Sequence, residues 1–380
     1  MHFDVSFMVW VLLGALGAYV SSDLHLTAAQ KGLMVAVPPL GGAAFRLLLG
    51  SLADRVGVRR TGLVTMGLTL IPLLWGWLGG GTYAQVLGIG LLLGIAGASF
   101  AVALPLASRW YPPEYQGLAL GIAGAGNSGT LIAALAAPRL AEHVTWHGVF
   151  GLAAIPVCLA WLTFAALAKE PPRPQSGTGV SSNPFSLLQD PDARWLCSFY
   201  LVTFGGFVGL AGYMPIFFVD RFGLTKVTAA GFAALCAAAG SFLRPVGGTL
   251  ADRIGGTRVL AGTLGVACAL LLASATLPGL PITVLLLFTA MGSFGVGNGA
   301  VFQVVPQRFP TRMGAMTGLV GAAGGVGGFL LPFALGSLKG STGTFAAGFA
   351  AVSVAVGVAS ICVNRRQRVW SKTWDLEVAV

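Results

Sequence analysis

Two arginines carry the chemistry that needs explaining in this 380-residue chain, Arg46 and Arg244. Each stands eight residues before an aspartate, in "FRLLLGSLADR" and "LRPVGGTLADR". At ~1.5 Å of rise per residue, that is about 12 Å up a helix from its acidic end. A guanidinium stays charged, and its planar fork of donors matches the in-plane oxygens of a small oxyanion. Held at the centre of a membrane helix it costs about 2.5–3.5 kcal/mol. None of the twelve carboxylates or four histidines falls at comparable depth, since all lie in loops, at termini or at span ends. A lone arginine could snorkel to the interface or bond to backbone carbonyls. For a repeated pair without an acidic partner, a bound planar anion is the compensating group to expect. Geometry alone also admits a small carboxylate, bicarbonate or cyanate.

The elements that must position these residues are membrane helices. The chain is 56% hydrophobic and 9% charged, far below the roughly 25% charged residues of soluble domains. Apolar stretches near the ~20 residues of a bilayer-spanning helix recur throughout. They predict twelve spans, at about 5–22, 32–53, 61–80, 84–107, 117–138, 147–168, 195–218, 227–250, 259–278, 281–305, 313–337 and 342–363. Runs such as "QVLGIGLLLGIAGASFAVALPL" lack the alternation of barrel strands, which excludes a β-barrel. The nearly uncharged start "MHFDVSFMVW" lacks the basic region of a secretory signal, so the first span is read as a mature helix.

A net charge of +10 suggests nucleic acid until the charges are located. Of 22 Lys and Arg residues, fifteen fall on loops assigned inside and five on loops assigned outside; the other two are Arg46 and Arg244. That bias is the positive-inside pattern and predicts both termini in the cytoplasm, with no nucleic-acid partner. The five cysteines are dispersed, so no metal site, cofactor or disulfide framework is expected. No nucleophile–base constellation lies at depth, which argues against an enzyme.

"KEPPRPQSGTGVSSNPFSLLQDPDAR" breaks the apolar pattern and divides the chain. Residues 1–168 form one six-span half and 195–363 the other, with a cytoplasmic linker at 169–194 and a cytoplasmic tail at 364–380. The halves are copies. Arg46 and Arg244, Asp54 and Asp252, and Arg60 and Arg258 each stand 198 residues apart. Gly117, Gly121 and Gly124 share their spacing with Gly314, Gly318 and Gly321. Internal duplication is a recurring transporter design, with the substrate held between repeats near mid-membrane.

"GSLADRVGVRR" resembles the loop between helices two and three of the major facilitator superfamily, here present in both halves. "GIAGAGNSGT" and "GLVGAAGGVGG" resemble the paired signatures of its nitrate/nitrite porter family. The resemblance implies an all-α integral membrane protein with twelve transmembrane helices in two pseudo-symmetric six-helix halves. It further implies transport of nitrate and nitrite by alternating access, with the anion between Arg46 and Arg244. Asn127 would donate an amide N–H, Tyr200 a hydroxyl, and Phe204 and Phe100 would form walls, with Asn298 a secondary contact. Interhelical hydrogen bonding for Asn127 and plain core packing for the aromatic residues are the competing readings.

Gly-x3-Gly steps let helices approach closely. Gly121, Gly124 and Gly126 of span five and Gly318, Gly321 and Gly324 of span eleven are therefore expected at rocking contacts between the halves, static packing being the alternative. In the superfamily, acids such as Asp54 and Asp252 bind the neighbouring half in the outward-facing state; Arg109 and Arg308 are the expected partners. The absence of an intramembrane Asp, Glu or His favours nitrate/nitrite antiport. The alternatives are a proton-coupled nitrate or nitrite symporter and a porter of cyanate, formate or a small carboxylate. A monomer in the cytoplasmic (inner) membrane, in contact with lipid, is expected.

Overall fold

The computed structural model describes residues 1–108, 128–170, 184–309 and 312–373. The described residues are helical, with no strand among them, and ten helices are long and apolar enough to cross a membrane. The first expected span is divided into α1 (His2–Trp10), α2 (Leu12–Ala15) and α3 (Gly17–Asp23), with breaks at Val11 and Leu16. Then come α4 (Ala28–Val56), α5 (Val58–Leu78), α6 (Tyr83–Gly97) and α7 (Phe100–Ser108). In α8 (Ser128–Leu167) the expected loop between spans five and six shrinks to one non-helical residue, Thr145, at φ 62° and ψ 167°. The second half comprises α9 (Pro191–Phe222), α10 (Lys226–Ile254), α11 (Gly256–Ser274), α12 (Leu280–Arg308), α13 (Met313–Thr342) and α14 (Ala346–Thr373).

The repeat is visible in how helices start and stop. Thr27 caps α4 and Thr225 caps α10, each hydroxyl accepting from a backbone N–H three residues on. Both helices end at a glycine with positive φ, Gly57 at 108° and Gly255 at 93°, a backbone that side-chain-bearing residues rarely adopt. The caps and the stops are each 198 residues apart, the same interval as the arginines. In the first half the Glu170 carboxylate accepts from Val58 N at 2.6 Å and Arg59 N at 2.9 Å, closing the start of α5. A negative group at a helix N-terminus is favourable both as a cap and against the dipole.

The two halves meet along α4 and α13, and along α1–α3 and α9. A Cβ on Gly336 would stand 2.6 Å from Gly32 Cα, and one on Gly14 would stand 2.9 Å from Gly212 Cα. Backbones this close need glycine on both sides. At the same end of the molecule Lys31 Nζ pairs with both oxygens of Asp220 at 2.8 Å, joining α4 to α9. Lys226 sits over the Tyr19 ring at 4.5 Å, a second bridge between the halves. This end is closed by contact between the halves. Gly336→Val should destabilise the closed end by about 1–3 kcal/mol, the usual penalty of overpacking. A lowered unfolding temperature in detergent, absent in Gly231→Ala, where a Cβ meets nothing among the described residues within 4 Å, is the check.

Candidate functional site

Arg46 is 2% exposed, and its solvation is supplied by the protein. Its Nε donates to Gly97 O at 3.1 Å, and its Nη1 donates to Gly321 O. The first acceptor exists because span four breaks: Ala101 N turns to Ala98 O, leaving the carbonyl of Gly97 at the end of α6. The second comes from α13, in the other half. Three rings surround the guanidinium, those of Trp10, Phe204 and Phe100, at 5.2, 5.4 and 5.5 Å from ring centroid to Cζ. Cation–π attraction at a desolvated site reaches about 2 kcal/mol. Carbonyls and rings therefore offset much of the burial cost that the sequence reading assigned to an anion. Nη2 of Arg46 has no hydrogen-bond partner among the described residues.

Arg244 is half-buried on α10. Its Nη2 lies 3.5 Å from the Tyr200 hydroxyl, its guanidinium is 5.4 Å from the Phe302 centroid, and its buried Nη1 lacks a partner among the described residues. Tyr200 and Phe204, one turn apart on α9, stack at 4.9 Å with 8° between their planes. Phe302 closes the set, 5.0 Å from Tyr200 and 5.9 Å from Phe100. The two arginines thus flank one continuous aromatic group and lie within electrostatic reach of each other and of Tyr200. Each keeps one N–H arm without a partner among the described residues. The arrangement can grip a small planar anion and, among the described residues, has no group placed for bond-making chemistry.

Of the residues expected at this site, Arg46, Arg244, Tyr200, Phe204 and Phe100 are brought together. Asn127, Gly121, Gly124, Gly126 and Arg109 lie outside the described residues, as does the side chain of Asp54. Asn298 is 1% exposed on α12, one turn from Phe302, with Oδ1 unpartnered among the described residues. Gly321 and Gly324 of α13 lie against Arg46 and against the Tyr200–Phe204 pair, whereas a Cβ on Gly318 would meet nothing among the described residues within 4 Å. Asp252 is exposed. Arg308 is held within its own half, with Nε 2.8 Å from Asp192 Oδ2, while Asp192 Oδ1 also accepts from Trp370 Nε1 at 2.8 Å.

Trp10 and Phe302 escape sequence reasoning. Trp10 is an apolar residue in an apolar span, and its Nε1–H, donating to Pro38 O at 2.9 Å, together with packing against Phe7 and Gly97, fixes its ring beside Arg46. Phe302 lies one turn beyond Asn298 in "GVGNGAVFQ", a spacing that could have pointed to it.

The family profile described as Major Facilitator Superfamily matches residues 1–332. The chain belongs to the Major Facilitator Superfamily. Within that superfamily it is similar to proteins named as nitrate or nitrite transporters. It is 34% identical to the "Nitrite extrusion protein" of Bacillus subtilis, over 91% of this chain and 87% of that one. It is 32% identical to the "Probable nitrate/nitrite antiporter NarK1" of Thermus thermophilus, over 87% and 81%. In fold it is similar to a bacterial homolog of the human lysosomal transporter Spinster in an inward-facing and occupied conformation. The TM-score is 0.74 at 18% identity, covering 98% of this chain and 96% of that one. The superfamily fold makes this chain a multi-pass membrane transporter, not an enzyme.

The glycines around the site separate packing from mere smallness. On Gly324 a Cβ would stand 2.7 Å from Tyr200 Cδ1 and 2.8 Å from Phe204 Cδ1. On Gly321 the nearest atoms would be 3.6 Å away or more. Gly324→Ala should therefore cost about 1–3 kcal/mol and Gly321→Ala close to nothing, read as thermal unfolding of the purified protein.

Proposed function

We propose that this chain exchanges nitrate for nitrite across the cytoplasmic membrane by alternating access, with one anion bound between Arg46 and Arg244. The convergence of two guanidinium groups on one aromatic group, each with an N–H arm that has no partner among the described residues, carries this reading. The identity of the anion rests on the relatives, whose names specify nitrate and nitrite. Both arginines come from one chain, so a monomer suffices. The basic loops put both termini in the cytoplasm. The end closed by Lys31 and Asp220 then faces outward.

Exchange follows from the electrostatics. Two like charges at one site disfavour a compact empty state, and an anion between them removes part of that repulsion before the halves reorient. Arg46 leans on the Gly321 carbonyl of the opposite half, a contact that reorientation must break. A bound anion supplies the substitute acceptor. Among the described residues the hydrogen-bond partners of Arg46, Arg244 and Tyr200 include no carboxylate or histidine, so a proton relay has no carrier among them.

Two outcomes test the reading. Arg46→Lys and Arg244→Lys keep the charge and lose the fork, so each should weaken nitrate binding roughly 10- to 100-fold, a loss of about 1.5–3 kcal/mol for a charge-assisted hydrogen bond. Titration calorimetry on purified protein measures it, and wild-type affinity in both variants would make the arginines structural. Separately, proteoliposomes preloaded with nitrite should take up nitrate without a pH gradient. Uptake that needs the gradient and ignores internal nitrite would assign proton symport instead.

A further inference from the structure

Arg244, Tyr200 and Phe302 fix one level of the second half, and the next helical turn toward the Lys31–Asp220 end has an unusual composition. Thr203 follows Tyr200 by three residues on α9, which runs toward that end. Ser241 precedes Arg244 by three on α10, and Asn298 precedes Phe302 by four on α12, both of which run away from it. All three residues are thus displaced in the same direction, by about 4.5–6 Å at ~1.5 Å per residue. Packing confirms the shared level. A Cβ on Gly297 would stand 3.0 Å from Thr203 Cγ2, and one on Gly295 would stand 2.1 Å from Gly240 O, so α12 touches both α9 and α10 here.

The three polar atoms of this turn, Thr203 Oγ1, Ser241 Oγ and Asn298 Oδ1, are buried and have no hydrogen-bond partner among the described residues. Thr203 is 0% exposed and Asn298 1%. The default alternative is on view elsewhere in the bundle. Thr61, Thr65, Thr69 and Thr249 bond to the carbonyl four residues back at 2.6–2.9 Å, and Ser274 and Ser293 do so at 2.9 Å. Thr203 and Ser241 do not make that bond. A helical side chain also covers the turn N-terminal to its own Cα, which carries the Arg244 guanidinium toward Ser241 and Phe302 toward Asn298. The unpartnered Nη1 of Arg244 therefore belongs with this group. The first half has nothing like it at the position equivalent to Ser241. Ala43 stands there, 198 residues earlier, with its Cβ 2.9 Å from where Gly325 would place one.

We propose that Thr203, Ser241 and Asn298, with Nη1 of Arg244, form a second subsite for one small planar oxyanion, on the Lys31–Asp220 side of the arginine pair. Two hydroxyls donate, and a half-turn of the Asn298 amide about its soft terminal torsion brings Nδ2 forward as a third neutral donor. The subsite holds the anion by Arg244 alone, before or after Arg46 joins. It rests on the anion-transport reading above and adds to it a stopping place belonging to one half.

The test uses the purified full chain in detergent. Nitrate, nitrite, formate and cyanate are titrated into wild type and into Thr203→Val, Ser241→Ala and Asn298→Leu. Each variant should raise Kd for the bound anion roughly tenfold, with Thr203→Ser restoring the wild-type value. Thermal stability without anion should be unchanged or higher, because a buried polar atom without a partner has been removed. Wild-type affinity in the variants, with or without a gain in stability, would overturn the subsite. If Thr203→Val does not fold, Ser241→Ala, the loss of one oxygen atom, decides alone. Wild type that ignores nitrate and nitrite but binds formate or cyanate would overturn the nitrate reading, while the variants judge the subsite with that anion. A wild type that binds none of the four overturns both.

Discussion

The solvation of one guanidinium inside a membrane protein is the constraint on which the rest of this structure depends. Arg46 cannot shed its charge and cannot reach water, so its surroundings must replace water. Among the described residues the replacement consists of two carbonyls and three aromatic faces. Gly97 is available as an acceptor because span four breaks after it, and the Trp10 ring is held by its indole N–H to Pro38 and by packing against Phe7 and Gly97. Features that look like irregularities of the helices are thus conditions for burying the charge. One carbonyl and one ring, of Gly321 and Phe204, belong to the opposite half. Solvating the cation and holding the halves together are the same contacts.

The two arginines are equivalent in sequence and unequal in structure. Arg46 is enclosed and has two strong acceptors, whereas Arg244 is half-buried and has one long contact to the Tyr200 hydroxyl. Duplication supplied two copies of a cation, and the surroundings have since assigned them different work. An arginine already satisfied by its own protein is a reluctant ligand, because an anion must displace a carbonyl to gain its second arm. The less satisfied partner is the better first contact. The proposed subsite beside Arg244 accords with that difference in existing bonds.

Much of this was legible beforehand. Composition and span length gave the helical membrane class, because burial in lipid leaves a signal in every residue of a span. The repeated arginine, its aspartate and the stop glycine were readable because the copies preserve spacing to the residue. Trp10 was not readable, since its role is made by Pro38 and Arg46, far from it in sequence. Nor was Asp192, which "QDPDAR" presents as an ordinary helix start although it gathers Arg308, Arg366 and Trp370 at one carboxylate. The division of span one into three pieces and the one-residue break at Thr145 between spans five and six also left no mark, because hydropathy does not register where a helix bends. Sequence reasoning weighed backbone carbonyls as partners for a lone buried arginine and set them below an anion for the repeated pair, because the helix break that frees Gly97 O leaves no mark in hydropathy.

How the closed end holds decides whether the halves can move. Among the described residues its joints are glycine-to-glycine approaches, the Lys226 ammonium over the Tyr19 ring and one ion pair whose side chains remain partly exposed, with relative exposures of 17% and 24%. Exposed pairs contribute about 0–1 kcal/mol. Between membrane helices there is no hydrophobic drive to add, because lipid is as apolar as the surface it would replace. What holds this end is therefore close packing together with the Arg46 contact to Gly321 deeper in the interface. Packing of small residues against small residues can part without leaving unpaired polar groups. The Arg46 contact cannot, because it would strand a charge. The strongest resistance to opening thus sits at the Arg46 contact, where an anion bound as proposed would relieve it, and that placement would tie movement of the halves to occupancy.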